Sequence, residues 1–318
     1  MAARTTTING QRVGRFRASW LLFKETWRFL RLDPEIMAIP FIAGVLNILL
    51  FAALLGTAVV VHFTVLPLGT FTEANGEMNF TADHPLVYAF MFLGYTIAAF
   101  TLAFSQGAIA HTVITRLRGG NASLGESLGM ALSRWRALLA WSLITATVGL
   151  ILHMLAKRFK FLGRLVLSII GVAWEVLTYF VAPAIIVENK GSIAAIKQSG
   201  RTLKQTFGET VVTNIGLGLA FFLIYALVGL TSVGLLYFSF TSGSGTLVFA
   251  AFGAIFLLFL AVGLLNAALQ GVLKTLLYAY VMEHTIPPDF NSELLENVLV
   301  SDDAPSNNAP QPAVQSTV

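Results

Sequence analysis

Residues 36–61 read IMAIPFIAGVLNILLFAALLGTAVVV, a stretch without a charged side chain. Wound as an α-helix it would be about 39 Å long, enough to cross the roughly 30 Å hydrocarbon layer of a bilayer. Comparable runs follow at 86–110, 137–156, 165–187, 210–236 and 247–270. All have helical length, and none alternates apolar and polar residues as an outer-membrane barrel strand does. The pattern predicts an all-α polytopic membrane bundle of six transmembrane helices. The last span runs on through QGVLKTLLYAYVMEH, with a bend expected near Gly271.

Composition agrees. The chain is 56% hydrophobic and 11% charged, whereas about a quarter of the residues in a soluble domain are charged. So much apolar surface cannot be hidden around one soluble core of this length and requires lipid as solvent. There is no cysteine, which removes disulfides and thiolate metal sites. The N-terminus lacks the compact apolar core and cleavage site of a signal peptide. Residues 1–14 are expected to be a disordered N-terminus, 15–282 the membrane domain, and 283–318 a mostly disordered cytoplasmic tail.

Lys and Arg set the orientation. Seven precede the first span; Arg116, Arg118, Arg134 and Arg136 lie between spans two and three, and Lys190, Lys197, Arg201 and Lys204 between spans four and five. The 62–85 loop has none. The positive-inside rule therefore places both termini in the cytoplasm. One loop dissents: KRFKFLGR, residues 157–164, is basic yet falls outside in a six-span topology. Either spans three and four form a shallow re-entrant pair, or the remaining loops outweigh this one.

Between spans four and five, residues 192–209 read SIAAIKQSGRTLKQTFGE. On a helix, Ile193, Ile196, Gly200, Leu203 and Phe207 share an apolar stripe, while Lys197, Arg201 and Lys204 form a second stripe beside it. That predicts an amphipathic helix in the interface plane, apolar side down, its cations reaching anionic inner-leaflet lipid. SWLLFKETWRFLR from Ser19 repeats the frame, with Trp20, Phe23, Trp27 and Leu30 apolar and Lys24, Arg28 and Arg31 basic. SLGMALSRWRALLA from Ser127 repeats it more weakly around Arg136. The chain thus divides into possible units at 15–112, 123–188 and 192–282, each an interfacial helix followed by a pair of spans. The spacing is not a fixed period. Trp20, Trp27 and Trp135 suit the aromatic belt.

Catalytic motifs are missing. The histidines are scattered, without H-E-x-x-H, and there is no P-loop. TSGSGT, residues 241–246, lacks the full G-x-S-x-G elbow. No cofactor, metal, enzymatic activity or nucleic-acid partner is expected; the bilayer is the expected partner. The sharpest polar residue is Glu175, in GVAWEVLTYF near the middle of span four, where a charged acid is costly. His153 and Lys274 are candidate partners, and Gln106, Asn214, Asn266 and Gln270 add polar atoms. Glu175 serves either proton or cation coupling, or simply packing as a hydrogen-bonded group. Pro183 is expected to kink the same span. Ala99, Ala103 and Gly107 form one small-residue seam, and Gly216, Gly218 and Ala220 another.

FKETWRFLRLDPEIMAIPF, YFVAPAIIVENKGSIAAIKQSGRTLKQTFGE and LLYAYVMEHTIPPDF resemble segments of a group of six-span prokaryotic membrane proteins, domain of unknown function 6159. The resemblance covers Phe16 to about Val298 and implies this topology in a bacterial or archaeal plasma membrane. It implies no activity and no functional residues. The expected role is non-enzymatic organisation of the membrane or of a membrane complex. The alternative is a small-solute or proton-coupled transporter using Glu175.

Overall fold

The computed structural model describes residues 6–8, 11–13, 24, 26–28, 30–31, 35–68, 70–74, 77–81, 84–159 and 161–283. Side chains are described throughout these except at 6–8, 11–13, 70–74, 77–81, 161–162, 205–217, 219–220 and 283. Helices dominate: α1 Glu35–Thr64, α2 Pro85–Leu117, α3 Leu124–Ser133, α4 Trp135–Arg158, α5 Phe161–Leu177, α6 Val181–Val187, α7 Ser192–Thr241 and α8 Gly245–Glu283. Six helical segments are long and apolar enough to cross a membrane: Glu35–Thr64, Pro85–Leu117, Trp135–Arg158, Gly163–Val187, Phe221–Thr241 and Gly245–Met282.

Two short hairpins accompany them, β1 Thr6–Ile8 with β2 Gln11–Val13 and β3 Thr70–Ala74 with β4 Glu77–Thr81. The first falls in the stretch expected to be disordered. Both carry Asn-Gly between their strands, Asn9-Gly10 and Asn75-Gly76, the strongest short hairpin signal there is. Composition alone hides it.

The core is not spread evenly along the helices. In α1 the buried residues are Ile36, Ile39, Pro40 and Ala43, at its start. In α2 they concentrate from Thr101 to Leu117, at its end. α4 buries Leu138, Trp141, Ser142 and Ala146, α6 buries Val181, Pro183, Ala184, Ile185 and Ile186, and α8 buries Ala268 to Ala279. These segments all lie at one end of the bundle, here called basal, where the chain enters α1 and leaves α8. At the distal end the helices expose apolar faces, with Leu55 62%, Leu230 71% and Phe249 81% exposed, as lipid-solvated surfaces do. Counting 1.5 Å per residue, one hydrocarbon thickness from the distal tip of α8 ends near Leu265, where burial begins. The packed core gathers toward the basal end, and the apolar helices extend beyond it.

α2 is the central strut, touching α1, α3, α4, α6 and α8. Its small-residue seam works within the bundle: a Cβ added at Gly107 would lie 3.1 Å from Ile186 and 3.8 Å from Leu138. In the other seam Gly218 is exposed with nothing within 4 Å; the surroundings of Gly216 and Ala220 lie outside the described residues. At Gly271, where a bend is expected, α8 stays helical from Gly245 to Glu283. The lack of a side chain there admits α2, because a Cβ would come within 2.8 Å of Ile109 and 3.2 Å of Gln106. Gly271→Val is expected to lower stability by about 1–3 kcal/mol through overpacking. Thermal unfolding in nanodiscs measures it, and an unchanged midpoint would refute the close approach.

The re-entrant reading of spans three and four does not hold. α2 and α4 pack along each other, and the Lys157 ammonium at the end of α4 stands 5.8 Å from the ring of Tyr88 in the first turn of α2. The α4–α5 hairpin therefore reaches the distal end, and its cations sit there, opposite the remaining basic segments.

Candidate functional site

Span four is broken. α5 ends at Leu177 and α6 begins at Val181, with turns at 178–180. The break lies ahead of Pro183, whose missing N–H leaves the carbonyl four residues back without its helical donor. Ser199 splices the gap: its hydroxyl accepts from the Phe180 amide at 3.0 Å and donates to the Leu177 carbonyl at 2.7 Å. Gly200 beside it lets the Leu177 side chain approach to 3.2 Å of a would-be Cβ. Ser192 ties the start of α7 to α4 through the Ala137 carbonyl at 2.7 Å.

The expected apolar stripe of this segment docks only in part: Leu203 is buried and Ile196 packs against the core, but the docking face is shared with hydroxyls. Ile193 is 67% exposed, while Ser192, Ala195, Ser199 and Thr202 are buried against the protein. Small side chains and hydroxyls win because the break in span four offers unpaired backbone groups that an isoleucine cannot satisfy. Nor is the segment a separate interfacial helix. α7 runs unbroken for 50 residues, since it contains no proline to stop it. The side chains of Phe207 and Asn214 lie outside the described residues. α3, by contrast, is a separate short helix. It is closed by a capping box in which Ser123 and Glu126 exchange side-chain and backbone hydrogen bonds, a signal readable as S-x-x-E. The Ser123 amide and hydroxyl hold the Glu126 carboxyl below the usual carboxylate range.

Glu175 occupies the last turn of α5 and is exposed. Its neighbour Trp174 stacks on Trp141 with ring centroids 6.0 Å apart. Trp141 lies six residues, about 9 Å, from the start of α4. Glu175 stands at the centre of the Gly163–Val187 apolar segment, just ahead of the turns at 178–180. His153 lies twelve residues beyond Trp141, about 18 Å farther toward the distal end, and is not brought to Glu175. Lys274 comes nearer: its ammonium sits 4.6 Å from the ring centroid of Tyr179, one turn beyond Glu175.

Lys274 belongs to a row on α8. Asn266, Gln270, Lys274, Tyr278 and Met282 follow at intervals of four, which trace one inclined ridge of a helix. Gln270 is half-buried one turn from Lys274, and Gln106 of α2 donates to the neighbouring Ala267 carbonyl at 3.4 Å. At the basal end the row becomes a clamp that the sequence alone does not reveal. The Tyr278 hydroxyl donates to Glu188, Glu188 pairs with Lys190, Lys190 donates to Gln198 at 2.9 Å, and Gln198 reaches the Met282 sulfur at 3.2 Å. Asn189, at φ +51°, turns the chain between α6 and α7, a conformation asparagine tolerates better than most residues. Its only sequence signal is the polar turn ENKGS between two apolar runs.

The seven candidate interface cations Lys24, Arg28, Arg31, Arg136, Lys197, Arg201 and Lys204 are all exposed, on basal segments. Arg31 lies over Trp27 at 5.1 Å and Arg136 over Trp135 at 5.6 Å; Trp20 lies outside the described residues. A polar depression of about 650 Å³ opens among them between α2 and α3, lined by His111, Asn121, Glu126 and Ser133. An apolar cavity of about 420 Å³ lies between the distal halves of α1 and α2, beside Phe51, Leu55, Phe90 and Gly94. Among the described residues no three His, Asp or Glu side chains come together.

The model of a family of unknown function, DUF6159, matches residues 86–286, from the first turn of α2 to just past α8. The match begins after α1, so it covers less of the chain than the sequence resemblance. No curated protein matches the chain.

Proposed function

The chain belongs to DUF6159, a family of unknown function, and on that premise we propose that it is a non-enzymatic multi-pass protein of a prokaryotic plasma membrane. It organises the bilayer, or a complex within it, from a basic cytoplasmic face. The observation that carries this reading is the coincidence, at one end, of the packed core and the seven exposed cations. A rigid basal platform holds the cations at headgroup depth, where anionic lipid attracts them. Both the entry into α1 and the exit from α8 lie at that end, which fits cytoplasmic termini under the positive-inside rule.

Combining Lys197→Gln, Arg201→Gln and Lys204→Gln is expected to abolish most of the thermal stabilisation gained on moving from phosphatidylcholine to phosphatidylglycerol nanodiscs. The effect in the unsubstituted protein should shrink at high salt. A triple variant that keeps the full anionic gain would sink the reading.

The transporter reading draws on Glu175 and the polar row of α8. The row stops at Asn266, and from Gly245 to Leu265 the only polar side chain on α8 is that of Thr246. Single cysteines in this cysteine-free chain test the depth. Thr178→Cys is expected to react with a water-soluble maleimide and Gly171→Cys, a turn or two deeper, to stay unlabelled. Labelling at both would put water deep in the membrane beside the acid and restore the transporter.

A further inference from the structure

We propose that the crevice between the distal halves of α1 and α2 holds an acyl chain of an anionic phospholipid, phosphatidylglycerol in class, whose phosphate is met by Lys157, Arg158 and Arg164. The crevice is the apolar cavity of about 420 Å³, walled by Phe51 and Ala58 of α1 and by Val87, Met91, Gly94 and Ala98 of α2. Three of these six are glycine or alanine, which is what leaves the room. At its basal end the Asn47 amide donates to the Thr101 hydroxyl at 2.7 Å and closes the gap between the helices. Leu55 and Tyr95, on its two lips, are exposed, so the crevice opens sideways to lipid. From Val87 to Ala98 it follows α2 for about 16 Å, roughly half the hydrocarbon thickness. That is the span of one leaflet, which a single chain from the distal surface fills.

Charge at the mouth selects the headgroup. Lys157 and Arg158 end the Trp135–Arg158 span, and cations there stand at the membrane surface because hydrocarbon excludes them. The Lys157 ammonium lies 5.8 Å from the Tyr88 ring. Tyr88 shares a face of α2 with Met91 and Tyr95, both of the crevice wall. Arg164 folds back to donate to the Phe159 carbonyl at 3.3 Å, which gathers a third cation beside Arg158. All three are exposed, and among the described residues none has a carboxylate partner. The loop that runs against the positive-inside pattern thus has a counter-charge to recruit, and a phosphate supplies it. A zwitterionic lipid would bring its own cation to the same mouth. The site lies at the opposite end of the bundle from Lys197, Arg201 and Lys204 and does not rest on the platform reading.

Delipidated full-length protein in detergent, titrated under native mass spectrometry, tests it. The basal substitutions Lys197→Gln, Arg201→Gln and Lys204→Gln are present throughout, so that the distal site is read by itself. The probes are phosphatidylglycerol, phosphatidylcholine with the same chains, and free glycerol phosphate. Phosphatidylglycerol is expected to bind more tightly than phosphatidylcholine. Lys157→Gln should weaken phosphatidylglycerol about fivefold and leave phosphatidylcholine unchanged, the worth of one surface cation. Adding Arg158→Gln and Arg164→Gln should remove the preference, and these exposed substitutions leave the fold intact. Ala58→Leu and Ala98→Leu, which fill the crevice from either helix, should weaken both lipids. A preference that survives the loss of all three distal cations would overturn the proposal, as would lipid binding unchanged by both crevice variants. Glycerol phosphate displacing the bound lipid would overturn it too, since the ligand would then be a soluble anion.

Discussion

Tyr278→Ala is expected to lower the stability of the protein by about 3–5 kcal/mol, the range for emptying a buried aromatic site. Tyr278 is fully buried, packs against Phe180 with ring centroids 5.9 Å apart, and donates its hydroxyl to Glu188. Tyr278→Phe separates the two contributions. It keeps the ring and removes a hydrogen bond to a carboxylate, which should cost about 1.5–3 kcal/mol. Glu188 then retains only Lys190. Thermal unfolding in nanodiscs, with limited proteolysis at the α6–α7 turn, reads both variants. Tyr278→Phe indistinguishable from the unsubstituted protein would mean that the clamp contributes nothing.

Ser199→Val should be nearly as damaging, although it changes a small residue on a helix. Ser199 is fully buried, and its hydroxyl serves two backbone groups on either side of the break in span four. Valine fills the space and leaves the Phe180 amide and the Leu177 carbonyl unpaired. At about 1–3 kcal/mol for each unsatisfied group, the loss is roughly 2–6 kcal/mol. Ser199→Thr, which keeps the hydroxyl, should recover part of it. Because Ser199 holds the backbone on either side of Thr178, Ser199→Val should also change maleimide labelling at Thr178→Cys. Unaltered stability and labelling would show that α5 and α6 hold their junction without α7.

The membrane architecture was legible in the sequence because hydrophobic length is a local quantity. A run such as 36–61 crosses a bilayer whatever surrounds it, so helix number and most boundaries follow from counting. The exposure of the seven cations was legible for the same reason: stripes on a helix depend on spacing alone. The two hairpins were equally local, and their Asn-Gly pairs were there to be read.

What the tertiary structure decided is which face of each stripe is used and where an apolar run breaks. Ile193 is an apolar residue that the fold leaves exposed, and Ser199 a polar one that it buries, because the unpaired backbone at 178–180 belongs to another helix. Glu175 sits midway along its apolar run, and only the assembled helices show that the run breaks just after it, at 178–180. Gly271 reads as a bend and acts as a point of close approach to Ile109. Lys274, Tyr278 and Glu188 lie on segments up to 90 residues apart, and only packing brings them together. Hydropathy along the chain fixes which segments enter lipid. The positions of buried hydrogen bonds and charges depend on groups distant in sequence, so they emerge only when the helices are assembled.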